Sequence, residues 1–215
     1  MTDPHAGQPV LGGWREPRGA RVGALLLHGR GASAEDILGL SEQFSLSAVA
    51  YLAPQAAGHS WWPLSFLAPP TQNEPYLSGA LDSVGRTLAQ FEAAGIPPAR
   101  VVLGGFSQGA CLALEYAARH PRRYGGLFAY SGALVTLGHT GDLVGTPVFM
   151  GVAEHDPHIP LSRFEQSAGV LGGLGAAVDA RVYPELGHGV NTEEINAVRE
   201  MMRQLIFDSL DDLPR

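Results

Sequence analysis

Ser107 lies between Gly105 and Gly109, after the apolar run Val101-Val102-Leu103 and before an alanine-rich stretch with helical spacing. In the pattern Gly-x-Ser-x-Gly a serine can sit on a sharp strand-to-helix turn with its hydroxyl exposed. The flanking glycines remove β-carbons that would clash where strand and helix nearly touch. Glycine and serine also build ordinary loops, so this pattern alone leaves the chemistry open. A serine nucleophile at neutral pH needs a base within hydrogen-bond reach and a third group that fixes the tautomer of that base. His188, between Gly187 and Gly189, has the backbone freedom to swing into a crevice as the base. Asp156 is the candidate third group; its other reading is a turn former ahead of Pro157, and Glu154 and Asp142 are competing acids.

These residues need a scaffold that brings them together. Apolar runs at residues 22–27, 48–52, 101–103, 127–130, 147–152 and 180–183 read as buried strands. Helical spacing covers residues 34–40, 77–94, 108–120, 161–171 and a final helix starting at Thr192. Residues 9–14, with a turn at 17–19, suggest a short edge hairpin within an N-terminal edge segment of residues 1–21, and residues 211–215 look like a frayed tail. The alternation predicts a single α/β domain over residues 1–215, with a mostly parallel central sheet and helices on both faces. Such sheets bind ligands beyond the carboxyl ends of their strands. The loop His28-Gly29-Arg30-Gly31, Ser107, Asp156 and His188 all fall just past predicted strand ends. The chain order Ser, Asp, His is the one expected on an α/β-hydrolase sheet.

Acyl transfer through a tetrahedral intermediate also needs preorganised N–H donors for the oxyanion. The main chain of Gln108, next to the serine at a helix start, supplies one. The loop after His28 supplies the second, from the main chain of Arg30, whose side chain is expected to be solvated. His28 itself reads as a structural residue that fixes this loop. Residues 53–76 carry six prolines or glycines that exclude an ordinary helix or strand, yet they include Trp61, Trp62, Phe66 and Leu67. Apolar groups of that size in a loop are expected to line a pocket, with Leu134 and Ile159 completing its wall.

Composition narrows the alternatives. The formal net charge is -7, without a long acidic run, which argues against nucleic acid or an anionic membrane surface as a partner. All 14 basic residues are arginine, so Schiff-base chemistry, a Ser-Lys dyad and a lysine-dependent phosphate loop are excluded. Cys111 is the only cysteine and reads as a small core residue, which excludes an intramolecular disulfide. The N-terminal residues lack the basic and apolar regions of a signal peptide, and no apolar run reaches membrane-spanning length, so a cytoplasmic location without membrane insertion is expected. His155, Asp156 and His158 are interrupted by Pro157 and have no matching cluster, so no metal and no cofactor is expected. Gly173-Leu174-Gly175 follows a helix instead of opening one and reads as a helix stop.

With these residues in place, the chain resembles the phospholipase/carboxylesterase family of α/β hydrolases, which includes bacterial carboxylesterases and acyl-protein thioesterases. The likeness rests on Leu27-His28-Gly29-Arg30-Gly31, Ala53-Pro54 with the Trp61-Trp62 loop, Gly105-Phe106-Ser107-Gln108-Gly109, Glu154-His155-Asp156 and Gly187-His188-Gly189, and runs over residues 22–210. The resemblance implies a compact hydrolase without a large cap domain, a triad of Ser107, Asp156 and His188, and an oxyanion hole from the main chains of Arg30 and Gln108. Arg30 departs from the apolar residue of the better-known thioesterases. Serine at the elbow separates the chain from the dienelactone hydrolases, which carry cysteine there. The expected function is a serine carboxylesterase acting on small to medium acyl esters as its small-molecule partners. An acyl-protein thioesterase or lysophospholipase uses the same groups, and a non-catalytic binding protein on the same fold is the alternative from another class. A homodimer is compatible with the sequence.

Overall fold

A computed structural model describes residues 2–13, 17 and 19–211. Its scaffold is a seven-stranded sheet built from β1 (Val10–Gly12), β2 (Val22–Leu27), β3 (Val49–Pro54), β4 (Val101–Phe106), β5 (Gly126–Tyr130), β6 (Pro147–Ala153) and β7 (Ala177–Tyr183). The order across the sheet is β1-β3-β2-β4-β5-β6-β7. Only the β1–β3 pairing is antiparallel. β2, β3 and β5 are buried along their whole length, which is why they read as unbroken apolar runs instead of alternating ones.

Five helices cover the two faces: α1 (Ala34–Phe44), α2 (Tyr76–Ala93), α3 (Gln108–Arg119), α4 (Leu161–Gly173) and α5 (Thr192–Asp211). Phe44 of α1 and Val198 and Met202 of α5 share one core cluster with Val22, Tyr51 and Phe128 on one side of the sheet. Leu77 and Leu88 of α2, Leu112 of α3 and Phe164 of α4 join the cluster on the other side. Ser33 starts α1 with a reciprocal cap, its hydroxyl accepting the Asp36 N–H while the Asp36 carboxylate accepts the Ser33 N–H at 2.8 Å.

Chain order reverses at β2, whose neighbours are β3 on one side and β4 on the other. That is the topological switch point, where a crevice opens beyond the carboxyl ends of the strands. Leu27 pairs with Gly105, so β2 and β4 end level and deliver the His28 loop and Ser107 to the same edge of the sheet.

The expected N-terminal hairpin is corrected. β1 pairs with β3, placing Val10 opposite Pro54, because the chain crosses to the sheet edge before β2 begins. The predicted turn at 17–19 and Trp14 lie partly or wholly outside the described residues, as do 212–215 of the predicted tail. Residue 211 belongs to α5. The proline-rich segment after β3 contains two short 3-10 turns, Ala57–His59 and Pro70–Asn73. Buried Asn73 organises it, accepting the Leu64 N–H at 2.9 Å and donating to the Ser65 carbonyl at 3.1 Å.

Candidate active site

Ser107 joins β4 to α3 with φ 54° and ψ -119°, a left-handed conformation that costs a non-glycine residue of order 1–3 kcal/mol. The turn is tight because the first turn of α3 lies on the end of β2. A β-carbon at Gly109 would stand 2.1 Å from the Leu27 carbonyl oxygen, and one at Gly105 equally close. The Ser107 N–H donates to the Tyr130 carbonyl at 2.9 Å, which ties the strained residue to β5.

His188 reaches the serine from the loop between β7 and α5, its Nε2 lying 2.9 Å from Ser107 Oγ. Its Nδ1 is 2.8 Å from Asp156 Oδ2 and 3.0 Å from Oδ1. An ionised carboxylate can only accept, so Nδ1 carries the proton and Nε2 is free to accept from the serine hydroxyl. The Asp156 side chain is fully buried. Burial alone would raise its pKa, but hydrogen bonds from His188 and from the N–H groups of His158 and Ile159 outweigh it and hold the carboxyl below its ordinary range. Those two N–H groups donate to Asp156 Oδ1 at 2.8 and 3.0 Å. The competing acids Glu154 and Asp142 make no such contact; the Asp142 carboxylate accepts the nearby Val144 N–H. Ser131 Oγ donates to the Gly189 carbonyl at 3.3 Å and steadies the histidine loop.

Gln108 is the first residue of α3, so its N–H has no partner within the helix. Its side chain has a separate task, with Oε1 accepting the Trp61 N–H at 2.9 Å and Nε2 donating to the Trp62 carbonyl at 2.8 Å. Arg30 follows Gly29 on the opposite lip. The expectation of a solvated side chain is corrected here: its guanidinium, although exposed, donates to the carbonyls of Pro63 at 2.6 Å and Leu64 at 2.5 Å. These two side chains clasp the aromatic loop from both sides of the crevice. His28 is fully buried and accepts the Ala56 N–H at 3.1 Å.

Above the serine is a cavity of about 450 Å³, lined among others by Arg30, Trp62, Phe66, Ser107, Ile159 and His188. Trp62, Phe66 and Ile159 are among its lining residues. Trp61, Leu67 and Leu134 do not line it. Trp61 is buried under the loop, where its indole N–H donates to the His28 carbonyl at 2.9 Å, because a bulky group in an irregular segment can fill the core as readily as a pocket. Leu67 points outward and is 43% exposed. Leu134 is sealed in the main core, its N–H on Ser167 Oγ. Cys111 contributes to the floor of the cavity, but burial pushes its thiol up to about 12, so it stays a neutral packing group.

Sequence reasoning missed Leu64, Ser65, Phe106 and His158 as lining residues. The His158 ring stands edge-on to His188 with centroids 4.7 Å apart, and Phe106 lies against the same imidazole at 4.9 Å. The position of Phe106 inside the Gly-x-Ser-x-Gly pattern was the one available signal. Among the described residues no group of three His, Cys, Asp or Glu side chains is arranged to hold a metal ion, and no helix is long and apolar enough to cross a membrane.

The sheet, its switch point and the serine at a strained strand-to-helix turn define an α/β hydrolase fold. Within that class, residues 20–206 match the phospholipase/carboxylesterase family, and the chain belongs to it. A solved phospholipase/carboxylesterase from Dyadobacter fermentans superposes with a TM-score of 0.88 at 40% identity, covering 92% of this chain and 97% of that one. Acyl-protein thioesterase 1 of Gibberella zeae is 37% identical over 117 residues, 51% of this chain and 50% of the relative. The chain thus spans about half the length of that thioesterase. A probable SOBER1-like carboxylesterase of Arabidopsis thaliana is 27% identical over 212 residues, 88% of this chain and 81% of its own.

Proposed function

We propose that this chain is a serine carboxylesterase that cleaves small to medium acyl esters through an acyl-enzyme intermediate. The observation that carries the reading is the continuous hydrogen-bonded line from Ser107 Oγ through His188 to Asp156, with contacts of 2.9 and 2.8 Å, opening into an apolar cleft. Ser107 Oγ attacks the ester carbonyl carbon while His188 Nε2 takes its proton. Asp156 holds the resulting imidazolium. The main-chain N–H groups of Arg30 and Gln108 stabilise the oxyanion, aided by the positive end of α3. Collapse breaks the bond to the alkoxide, which leaves with the proton from His188. Water activated by the same imidazole then releases the acid. Trp62, Phe66 and Ile159 hold the acyl group.

Thioester hydrolysis is the second reading, favoured by the likeness to the Gibberella thioesterase and served by the same groups. Matched oxygen esters and thioesters, assayed on wild type and Ser107→Ala, separate the two. Hydrolysis of the oxygen ester that disappears in Ser107→Ala is the expected result. Undiminished hydrolysis in the variant overturns the assignment.

A further inference from the structure

We infer that His5 is a positioning residue for the cleft wall: it holds the Trp61-Trp62 main chain in register with the Ser107-Gln108 elbow and so sets how well a medium-length acyl chain is accommodated. The inference deepens the esterase reading and rests on it for its main assay.

The consecutive N–H groups of Ala56 and Ala57 donate to two different imidazoles, Ala56 to His28 Nε2 at 3.1 Å and Ala57 to His5 Nδ1 at 3.0 Å. A ring nitrogen that accepts carries no proton, so each neutral ring donates through its other nitrogen. His5 Nε2 donates to the Trp61 carbonyl at 2.9 Å, and His28 Nδ1 to the Gly29 carbonyl at 2.8 Å. The two rings flank the Trp61 indole, with centroids at 5.6 and 5.0 Å. Burial lowers the pKa of both, against weaker raising by nearby main-chain carbonyls, and so favours the neutral form that this pattern requires. The titratable and charged groups that act on them are Asp3 and Arg86 at His5, and His59, Asp36 and His5 itself at His28.

The Trp61 peptide is thereby held from two directions. Its N–H goes to the Gln108 side chain beside the nucleophile, and its carbonyl goes to His5. The next residue, Trp62, faces the cleft, followed by Leu64 and Phe66. His5 is buried and does not line the cleft itself, so its effect on substrate passes through this wall. The N-terminal segment is built to dock there. Asp3 pairs with Arg86 of α2 at 2.8 Å and accepts the His5 N–H at 2.7 Å. Gly79 of α2 leaves the room, since a β-carbon there would lie 2.3 Å from Asp3 Oδ1 and 3.0 Å from Pro4.

The test compares kcat/KM for octanoyl and acetyl chromogenic esters, per active site counted with a serine-directed phosphonate. Both substrates need His188 in the same state, so the octanoyl/acetyl ratio is insensitive to its titration and to the folded fraction. Three variants are used. His5→Phe keeps a ring but loses both hydrogen bonds, His5→Gln keeps a donor for Trp61, and Gly79→Val displaces the segment with His5 intact. The ratio is expected to fall by roughly fivefold or more in His5→Phe and Gly79→Val, with His5→Gln between them and wild type. An equal loss on both esters, or a ratio unchanged in every variant that folds, overturns the inference. If wild type cleaves neither ester, the esterase reading fails by itself. His5 is then judged by tryptophan emission, where a red shift in His5→Phe supports its hold on Trp61 and unchanged emission refutes it.

Discussion

The side-chain amide of Gln108 joins the main chain of both tryptophans, accepting from Trp61 N–H and donating to the Trp62 carbonyl, and so couples the residue after Ser107 to the wall of the cleft. The side-chain clamp is thus distinct from the oxyanion role proposed for the Gln108 main-chain N–H. The two can be separated by mutation, because every substitution except proline retains the backbone N–H.

Gln108→Leu leaves the buried Trp61 N–H without its acceptor. An unsatisfied buried donor costs about 1–3 kcal/mol, and the loss should appear as a lower midpoint in urea unfolding with an unchanged slope. Turnover of an acetyl ester should fall by less than about tenfold, since Ser107, His188 and the main-chain donor remain. A turnover loss as large as that of Ser107→Ala would contradict this division of roles.

Asp156→Asn tests the tautomer argument. An amide placed against His188 Nδ1 can donate to it, which shifts the ring proton to Nε2 and removes the acceptor for the serine hydroxyl. A drop in kcat of about 10⁴-fold is expected with little change in fold. The depressed carboxyl also fixes the pH behaviour. A carboxylate whose folded pKa lies below its unfolded value contributes stability above the unfolded pKa and loses it as pH falls through the folded one. Asp156 therefore stays ionised across the neutral and mildly acidic range, so its protonation should not set the acid limb of the rate profile there. A limb that tracks ordinary carboxylate titration would argue against the assignment.

The juxtaposition of Ser107, Asp156 and His188 is legible in the sequence because each follows a strand of the parallel sheet, and because Gly105 and Gly109 record a close approach that leaves no room for a β-carbon. The apolar run at 180–183 covers only part of β7, Ala177–Tyr183, because an edge strand exposed along much of its length carries a weak apolar signal. The clamps of the loop were not legible. Arg30 meets Pro63 across 33 positions, Gln108 meets Trp61 across 47, and His5 meets Trp61 across 56, and no local periodicity encodes such pairs. The sequence reading of Trp61 as a pocket residue fails for the same reason, since its partner, the His28 carbonyl, lies beneath the loop.

Glu194 offers a test of how the histidine loop is anchored to α5. Its Oε2 accepts the Asn191 N–H at 2.8 Å while Asn191 Oδ1 accepts the Glu194 N–H at 2.9 Å, a reciprocal cap three residues beyond His188. The side chain is fully buried, and Oε1 has no hydrogen-bond partner. Burial raises its pKa to about 7, with the Asn191 N–H opposing and the charge of Glu193 adding to the shift. A carboxyl raised in the folded state binds more protons there than in the unfolded chain, so its contribution to stability declines as pH rises from about 4.5 toward 7. The span corresponds to on the order of 3 kcal/mol. Glu194→Gln retains a capping side chain and removes the charge. Relative to wild type, its unfolding free energy in urea should be larger at pH 8 than at pH 5 by an amount of that order, and an equal difference at both pH values would show that burial does not raise the Glu194 carboxyl.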